Sequence, residues 1–97
     1  MVNLYLDCTG IDFKSITKRD FNVYDHQGIQ YIFKFDNGYG ASVIKHYGSY
    51  GYDADLWEMA VLDSYGELCY NTPITNDVLG YLTEEEVRET LKKIKEM

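Results

Sequence analysis

Apolar and polar residues alternate most clearly from Ile29 to Ile44, where the chain reads IQYIFKFDNGYGASVI. Ile29, Tyr31, Phe33 and Phe35 fall on odd positions, with Gln30 and Lys34 between them, the period of two that a half-buried strand requires. Asn37-Gly38 interrupts the run. Asn-Gly is the preferred centre of a two-residue type I′ hairpin, because both positions need positive φ. A two-residue loop pairs Asp36 with Tyr39, Phe35 with Gly40, Phe33 with Ser42 and Tyr31 with Ile44. Opposed residues share a face. Ile29, Tyr31, Phe33, Phe35 and Ile44 are therefore expected on the buried side, with Gln30, Lys34, Ala41 and Lys45 on the other. A slip of one residue would bury the lysines.

The pattern extends the hairpin into a three-stranded meander: Ile29 to Phe35, Tyr39 to Tyr47 and Leu56 to Leu62. Ser64-Tyr65-Gly66-Glu67 reverses the chain into a short strand at Leu68 to Asn71, which Pro73 should end for want of an amide hydrogen. Upstream, strands are expected at Val2 to Asp7 and near Asp20 to Tyr24, with a turn at Asp25-His26-Gln27-Gly28. Thr75-Asn76-Asp77 could open a short helical turn carrying Val78 and Leu79 and ended by Gly80.

The C-terminal signals are helical. Thr83 followed by Glu86 makes a capping box. Glu84 and Glu85 suit the positive end of a helix dipole, and Lys92, Lys93 and Lys95 the negative end. Val87, Leu91 and Ile94 form one narrow apolar stripe, suited to lying on a sheet. The predicted fold class is α+β: an antiparallel sheet packed by a C-terminal helix. Residues 1–97 form one domain, with an N-terminal extension over 1–28, the meander over 29–71 and the helix over 83–96. The hairpin face, joined by Trp57, Met59 and Val61, should meet the helix stripe.

With 97 residues, 45% of them hydrophobic, the chain can bury a single core. It holds no apolar run long enough for a transmembrane helix, and its start lacks the basic and apolar stretches of a secretory signal. Cys8 and Cys69 are too few for a disulfide framework and suit reduced thiols in a cytoplasm. A net charge of −7 opposes direct binding to nucleic acid or to anionic membranes. Its plain meaning is solubility. Its sharper meaning is attraction to a basic partner surface.

No catalytic, metal or cofactor motif appears. His26 and His46 stand apart, each without a second ligand at metal spacing. Asp53-Ala54-Asp55 with Glu58 lacks the ligand series and glycine of a calcium loop. Cys8 has no nearby base, and nothing around Ser42 or Ser49 resembles a nucleophile elbow. Gly38-Tyr39-Gly40 sits on a hairpin with no following helix to cradle phosphate. The expectation is a non-enzyme with no cofactor.

His46 to Asp55, HYGSYGYDAD, concentrates Tyr47, Tyr50 and Tyr52 among Gly and Ser. Tyrosine supplies large amphipathic contact area at modest entropic cost, and Gly/Ser neighbours let a loop adapt. Tyr47, Tyr50, Tyr52, Asp53 and Asp55 are the candidate partner-binding residues, with the two carboxylates facing a basic rim. The alternative is that the rings fold back over the sheet edge. Base stacking is disfavoured by the lack of adjacent Arg or Lys.

The blocks FDNGYGASVIKH and YNTPITNDVLGYLTEEEV, within a stretch from Ile29 to Met97, resemble a group of small uncharacterised proteins encoded by phages and prophages of Gram-positive bacteria. Residues 1–28 have no counterpart in the resemblance, and the group shares no defining activity. The resemblance implies a viral product acting in the host bacterial cytoplasm. It suggests an accessory factor that binds a host protein and disables a defence system, as anti-CRISPR inhibitors do. Two alternatives are an acidic DNA mimic filling a nucleic-acid groove and a structural or assembly component of the phage particle.

Overall fold

The computed structural model describes residues 2–69, 71–72 and 78–97. Five antiparallel strands follow one another in a simple meander: β1 (Ser15–Val23), β2 (His26–Lys34), β3 (Gly40–Lys45), β4 (Trp57–Leu62) and β5 (Leu79–Leu82). One helix, α1 (Glu84–Lys95), packs on β3, β4 and β5. The α+β class and the covering helix are as the sequence pattern predicts.

The helix begins as read. The Glu86 amide donates to Thr83 Oγ1 at 3.2 Å, and the Thr83 amide donates to Glu86 Oε1 at 3.0 Å. Hydrogen bonding from Thr83, its backbone amide first, holds the Glu86 carboxyl below its ordinary pKa range. Val87, Leu91 and Ile94 are buried in one core with Ile29, Tyr31, Phe33, Phe35, Trp57, Met59 and Val61.

The hairpin register differs from the two-residue turn by one position. Lys34 pairs with Gly40, Phe33 with Ala41, Tyr31 with Val43 and Ile29 with Lys45. The loop has three residues, Asp36-Asn37-Gly38, closed by Gly38 N–H to Phe35 O at 3.2 Å and Phe35 N–H to Tyr39 O at 2.9 Å. Only Gly38 takes positive φ (90°), the form of a turn followed by a left-handed glycine. The cause is tertiary. Asn37 Oδ1 accepts from the Tyr39 amide at 3.0 Å, while Nδ2 donates to the carbonyls of Ile94 at 2.8 Å and Lys95 at 2.9 Å. Asn37 is thereby the cap of the far end of α1, satisfying carbonyls that a helix terminus leaves without partners. Because side chains alternate, the slip puts Ala41, Val43 and Lys45 on the core face and Ile44 on the open face.

Four further expectations are corrected. The N-terminal stretch is not a strand at Val2 to Asp7. It crosses the core face as irregular chain whose backbone groups bond to side chains: Leu6 N–H to Tyr31 Oη (3.2 Å), Tyr31 O–H to Leu4 O (3.0 Å) and Asp7 N–H to Glu84 Oε1 (3.2 Å). Leu6 and Ile11 are buried in the core, and Phe13 meets Phe33 edge-on at 5.5 Å. The first strand runs nine residues, and its turn is Tyr24-Asp25, both at positive φ, with Val23 facing His26. Leu68 makes one bridge to Leu62, while Leu79, expected in a helical turn, and Gly80, expected to end it, lie inside β5. The expectations for Pro73 and for a turn opening at Thr75-Asn76-Asp77 fall outside the described residues.

Among the described residues no helix is long and apolar enough to cross a membrane. Both cysteines are free. Burial pushes the Cys8 thiol pKa up, which disfavours the nucleophilic thiolate.

Candidate aromatic contact surface

A meander places the β1–β2 turn and the β3–β4 connection at the same end of the sheet. The corrected register brings them together: continuing from Ile29–Lys45, Gly28 lies opposite His46. A Cβ on Gly28 would come 2.6 Å from the His46 Cβ, so the close approach requires glycine. Beside it, the His26 ring stacks on Tyr47 (centroids 4.8 Å apart, planes 9° from parallel). Tyr24 meets Tyr47 edge-on at 5.8 Å, and Tyr52 meets Tyr47 at 6.2 Å and His26 at 6.5 Å. On the open face, His46 faces Phe21 at 5.4 Å.

These rings remain in reach of solvent. Tyr24 is 83% exposed, Tyr50 58% and Tyr47 43%. Offset and edge-on aromatic pairs hold each other at small energetic gain per pair, so the cluster is a formed surface patch rather than a set of independent side chains.

The loop beneath is firmly tied. His46 O accepts from the Ser49 amide (2.9 Å) and hydroxyl (2.8 Å), and the His46 amide donates to Ser49 Oγ at 3.1 Å. Gly51, at φ 106°, accepts from Ala54 (3.0 Å) and Leu56 (2.9 Å) at the short 3₁₀ turn Tyr52–Ala54. The Tyr50 amide donates to Glu58 Oε1 at 2.9 Å. The glycines and serine therefore serve defined turns, not adaptability. Tyr50 also packs on β5: the Tyr81 amide donates to Tyr50 O at 3.3 Å, and a Cβ on Gly80 would lie 2.6 Å from that of Tyr50. Tyr81, itself exposed, has φ 56°, a strained conformation for a large side chain.

The five residues named from sequence divide. Tyr47 and Tyr52 join the ring cluster, Tyr50 flanks it against β5, and Asp53 is exposed on the 3₁₀ turn. Asp55 turns inward. Its Oδ1 accepts from Lys45 Nζ and from the Asn3 amide, both at 2.8 Å. Lys45, only 2% exposed, also donates to Asn3 O (2.7 Å) and Asp55 O (3.1 Å) and sits 4.2 Å from the Trp57 ring centroid. Burial opposes ionisation of Asp55, yet the Lys45 and Asn3 bonds outweigh it and lower its pKa. Tyr24 and His26 were missed because Tyr24 was read as the end of a strand and His26 as part of the turn Asp25 to Gly28, both outside the tyrosine-rich stretch.

Other carboxylates are engaged at separate places in the fold. Asp12 pairs with Lys95 at 3.0 Å, Glu84 pairs with Arg88 at 2.9 Å, and Asp63 Oδ1 accepts from the amides of Tyr65 (2.9 Å) and Glu67 (3.0 Å). Among the described residues, no three His, Cys, Asp or Glu side chains assemble as a metal-ligand set. Comparisons of the chain with family models, curated proteins and solved structures found no match.

Proposed function

We propose that the protein is a non-enzymatic accessory factor of phage origin that binds a host protein through the aromatic end of its sheet. The observation that carries this reading is the pre-formed cluster of Tyr24, His26, Tyr47 and Tyr52. Two separate turns place the exposed rings of Tyr24, His26 and Tyr47 and the half-buried ring of Tyr52 in mutual contact over a hydrogen-bonded loop. Rigid amphipathic rings lose little entropy on docking, and aromatic anchors dominate protein interfaces. Asp53 belongs at the rim, where a carboxylate steers a basic partner. Asp55, engaged with Lys45, is left out of the surface. Phage origin and a target in host defence rest on the resemblance of the Ile29 to Met97 segment. The acidic DNA mimic is disfavoured by the spread of carboxylates over the N-terminal stretch, the turns and the helix.

The test is affinity capture from host lysate with three variants. Tyr24→Ala and Tyr52→Ala should each lose the captured host protein while keeping the amide spectrum of a folded domain. Tyr65→Ala, an exposed tyrosine on the loop after β4, should keep it. Capture insensitive to all three overturns the assignment of the surface. Capture of capsid or tail proteins instead supports the assembly component.

A further inference from the structure

The opposite end of the sheet carries a second feature, on the face that neither α1 nor the N-terminal segment covers. The open-face row there runs Ser15, Lys34, Gly40, Leu62 across β1 to β4. Gly40 puts no side chain into that row, where a Cβ would strike the Phe33 carbonyl oxygen, and a cavity of about 510 Å³ opens beside it. Ile32 and Leu62 give it apolar walls, and Lys14, Lys34, Ser15 and Ser64 line it with polar groups. The volume falls within the range of small-molecule sites, roughly 300–1,000 Å³.

Local hydrogen bonds hold this frame. The Lys14 amide donates to Lys34 O at 2.7 Å, fixing the start of β1 at the rim. A Cβ on Gly38 would lie 3.9 Å from that of Ser64, so the hairpin tip and the loop after β4 nearly touch. At the rim two lysines stand against one carboxylate. Asp63 also lines the cavity, but its Oδ1 accepts the Tyr65 and Glu67 amides of its own loop. Lys14 and Lys34 have no carboxylate within ion-pair distance among the described residues. Two lysines without an ion pair among the described residues, against the single lining carboxylate Asp63, make the cavity locally cationic in a chain of net charge −7.

We propose that this cavity binds a small amphipathic carboxylate, its apolar body against Ile32 and Leu62 and its carboxylate between Lys14 and Lys34, within reach of the Ser15 and Ser64 hydroxyls. Ammonium and hydroxyl donors favour an anionic head, and the apolar walls favour a short hydrocarbon or ring body. This inference is independent of the aromatic surface, which lies at the other end of the strands.

The experiment is an amide-resolved NMR titration of the full chain with three probes of equal tail: octanoate, octanol and octylammonium. Octanoate should shift the amides of Ser15, Lys34, Gly40 and Ser64 saturably, with a dissociation constant roughly tenfold or more below those of the other two probes. The Lys14→Glu/Lys34→Glu variant should lose that preference. If it fails to fold, Lys34→Gln replaces it and should weaken octanoate alone. Equal binding of all three probes, shifts centred on Tyr24 to Tyr52, or no saturable shift each overturns the proposal.

Discussion

Among the described residues Lys45 is a buried cation, 2% exposed, and its pairing with Asp55 makes an asymmetric prediction. The ammonium has three hydrogens and three acceptors: Asn3 O, Asp55 O and Asp55 Oδ1. Replacing Asp55 with Ala removes the charged acceptor and also frees the Asn3 amide that Oδ1 holds. A buried cation then keeps only carbonyls that are themselves loosened. Removing one partner of a buried pair costs about 3–5 kcal/mol. The Asp55 side chain is 43% exposed, so water can reach the vacated acceptor position, which places the cost near the low end, about 3 kcal/mol. Replacing Lys45 with Met removes the cation itself and keeps an apolar stem against Trp57. The abandoned Asp55 carboxylate can turn to solvent, so the cost should be near 1 kcal/mol, that of lost hydrogen bonds with no stranded charge.

Urea unfolding of the two single variants and the double variant reads this directly. The expected order of stability is wild type, then Lys45→Met, then Asp55→Ala. The double variant should sit close to Lys45→Met, because Asp55→Ala does little harm once the cation is gone. For a domain of this size about 3 kcal/mol corresponds to a melting shift of roughly 12–24 °C, well outside experimental error. If Lys45→Met proves the more damaging, or if the two losses simply add, the stranded-charge reasoning is wrong and the ammonium is a net stabiliser in its own right.

Other outcomes follow from the same geometry. Leu91→Ala, in a side chain with no exposure, should cost about 2–5 kcal/mol in denaturant unfolding; a loss below about half a kcal/mol would mean the helix does not cover the core. The Asp55 carboxyl is held below its ordinary value near 3.8, so its contribution is complete above that value and is lost as pH falls through the lower folded value. Acid unfolding curves should therefore be shallower for Asp55→Asn than for wild type. Gly80→Ala puts a methyl group against Tyr50 and should displace the tyrosine loop, seen as amide shifts from Ser49 to Asp53, with the helix signals unmoved. Asp53→Asn should flatten the salt dependence of the partner on-rate and change affinity little.

Elements set by local chemistry were legible from the residues, while those decided between distant segments were not. The capping box, the helix stripe and the alternation of Tyr31, Phe33 and Phe35 each depend on neighbours a few positions apart. The hairpin register does not. Asn37-Gly38 favours a two-residue turn locally, but Asn37 also bonds the helix end nearly sixty residues away, and that contact is absent from any short window. Tyr24-Asp25, whose composition is a weak turn signal, adopts the left-handed pair that Asn-Gly was expected to take. Its reading failed because flanking Gly28, needed for the approach of His46, looked like part of the turn.

The site inherits that register. With Ile44 facing the core, as the two-residue turn implied, Lys45 would point to the open face and Asp55 would be a free carboxylate beside the tyrosines. With Lys45 inward, Asp55 follows it. That pair helps anchor the far end of the loop while Glu58 and Gly80 receive Tyr50. The tyrosines are thus presented by a half-buried salt bridge, which takes Asp55 from the rim and leaves Asp53 there. The register also brings His26 and Tyr24 alongside Tyr47, so the surface is built from two turns where composition pointed to one. Tyrosine content located half of the patch, and strand pairing supplies the other half. A contact surface assembled across strands is visible only once it is known which residue lies opposite which.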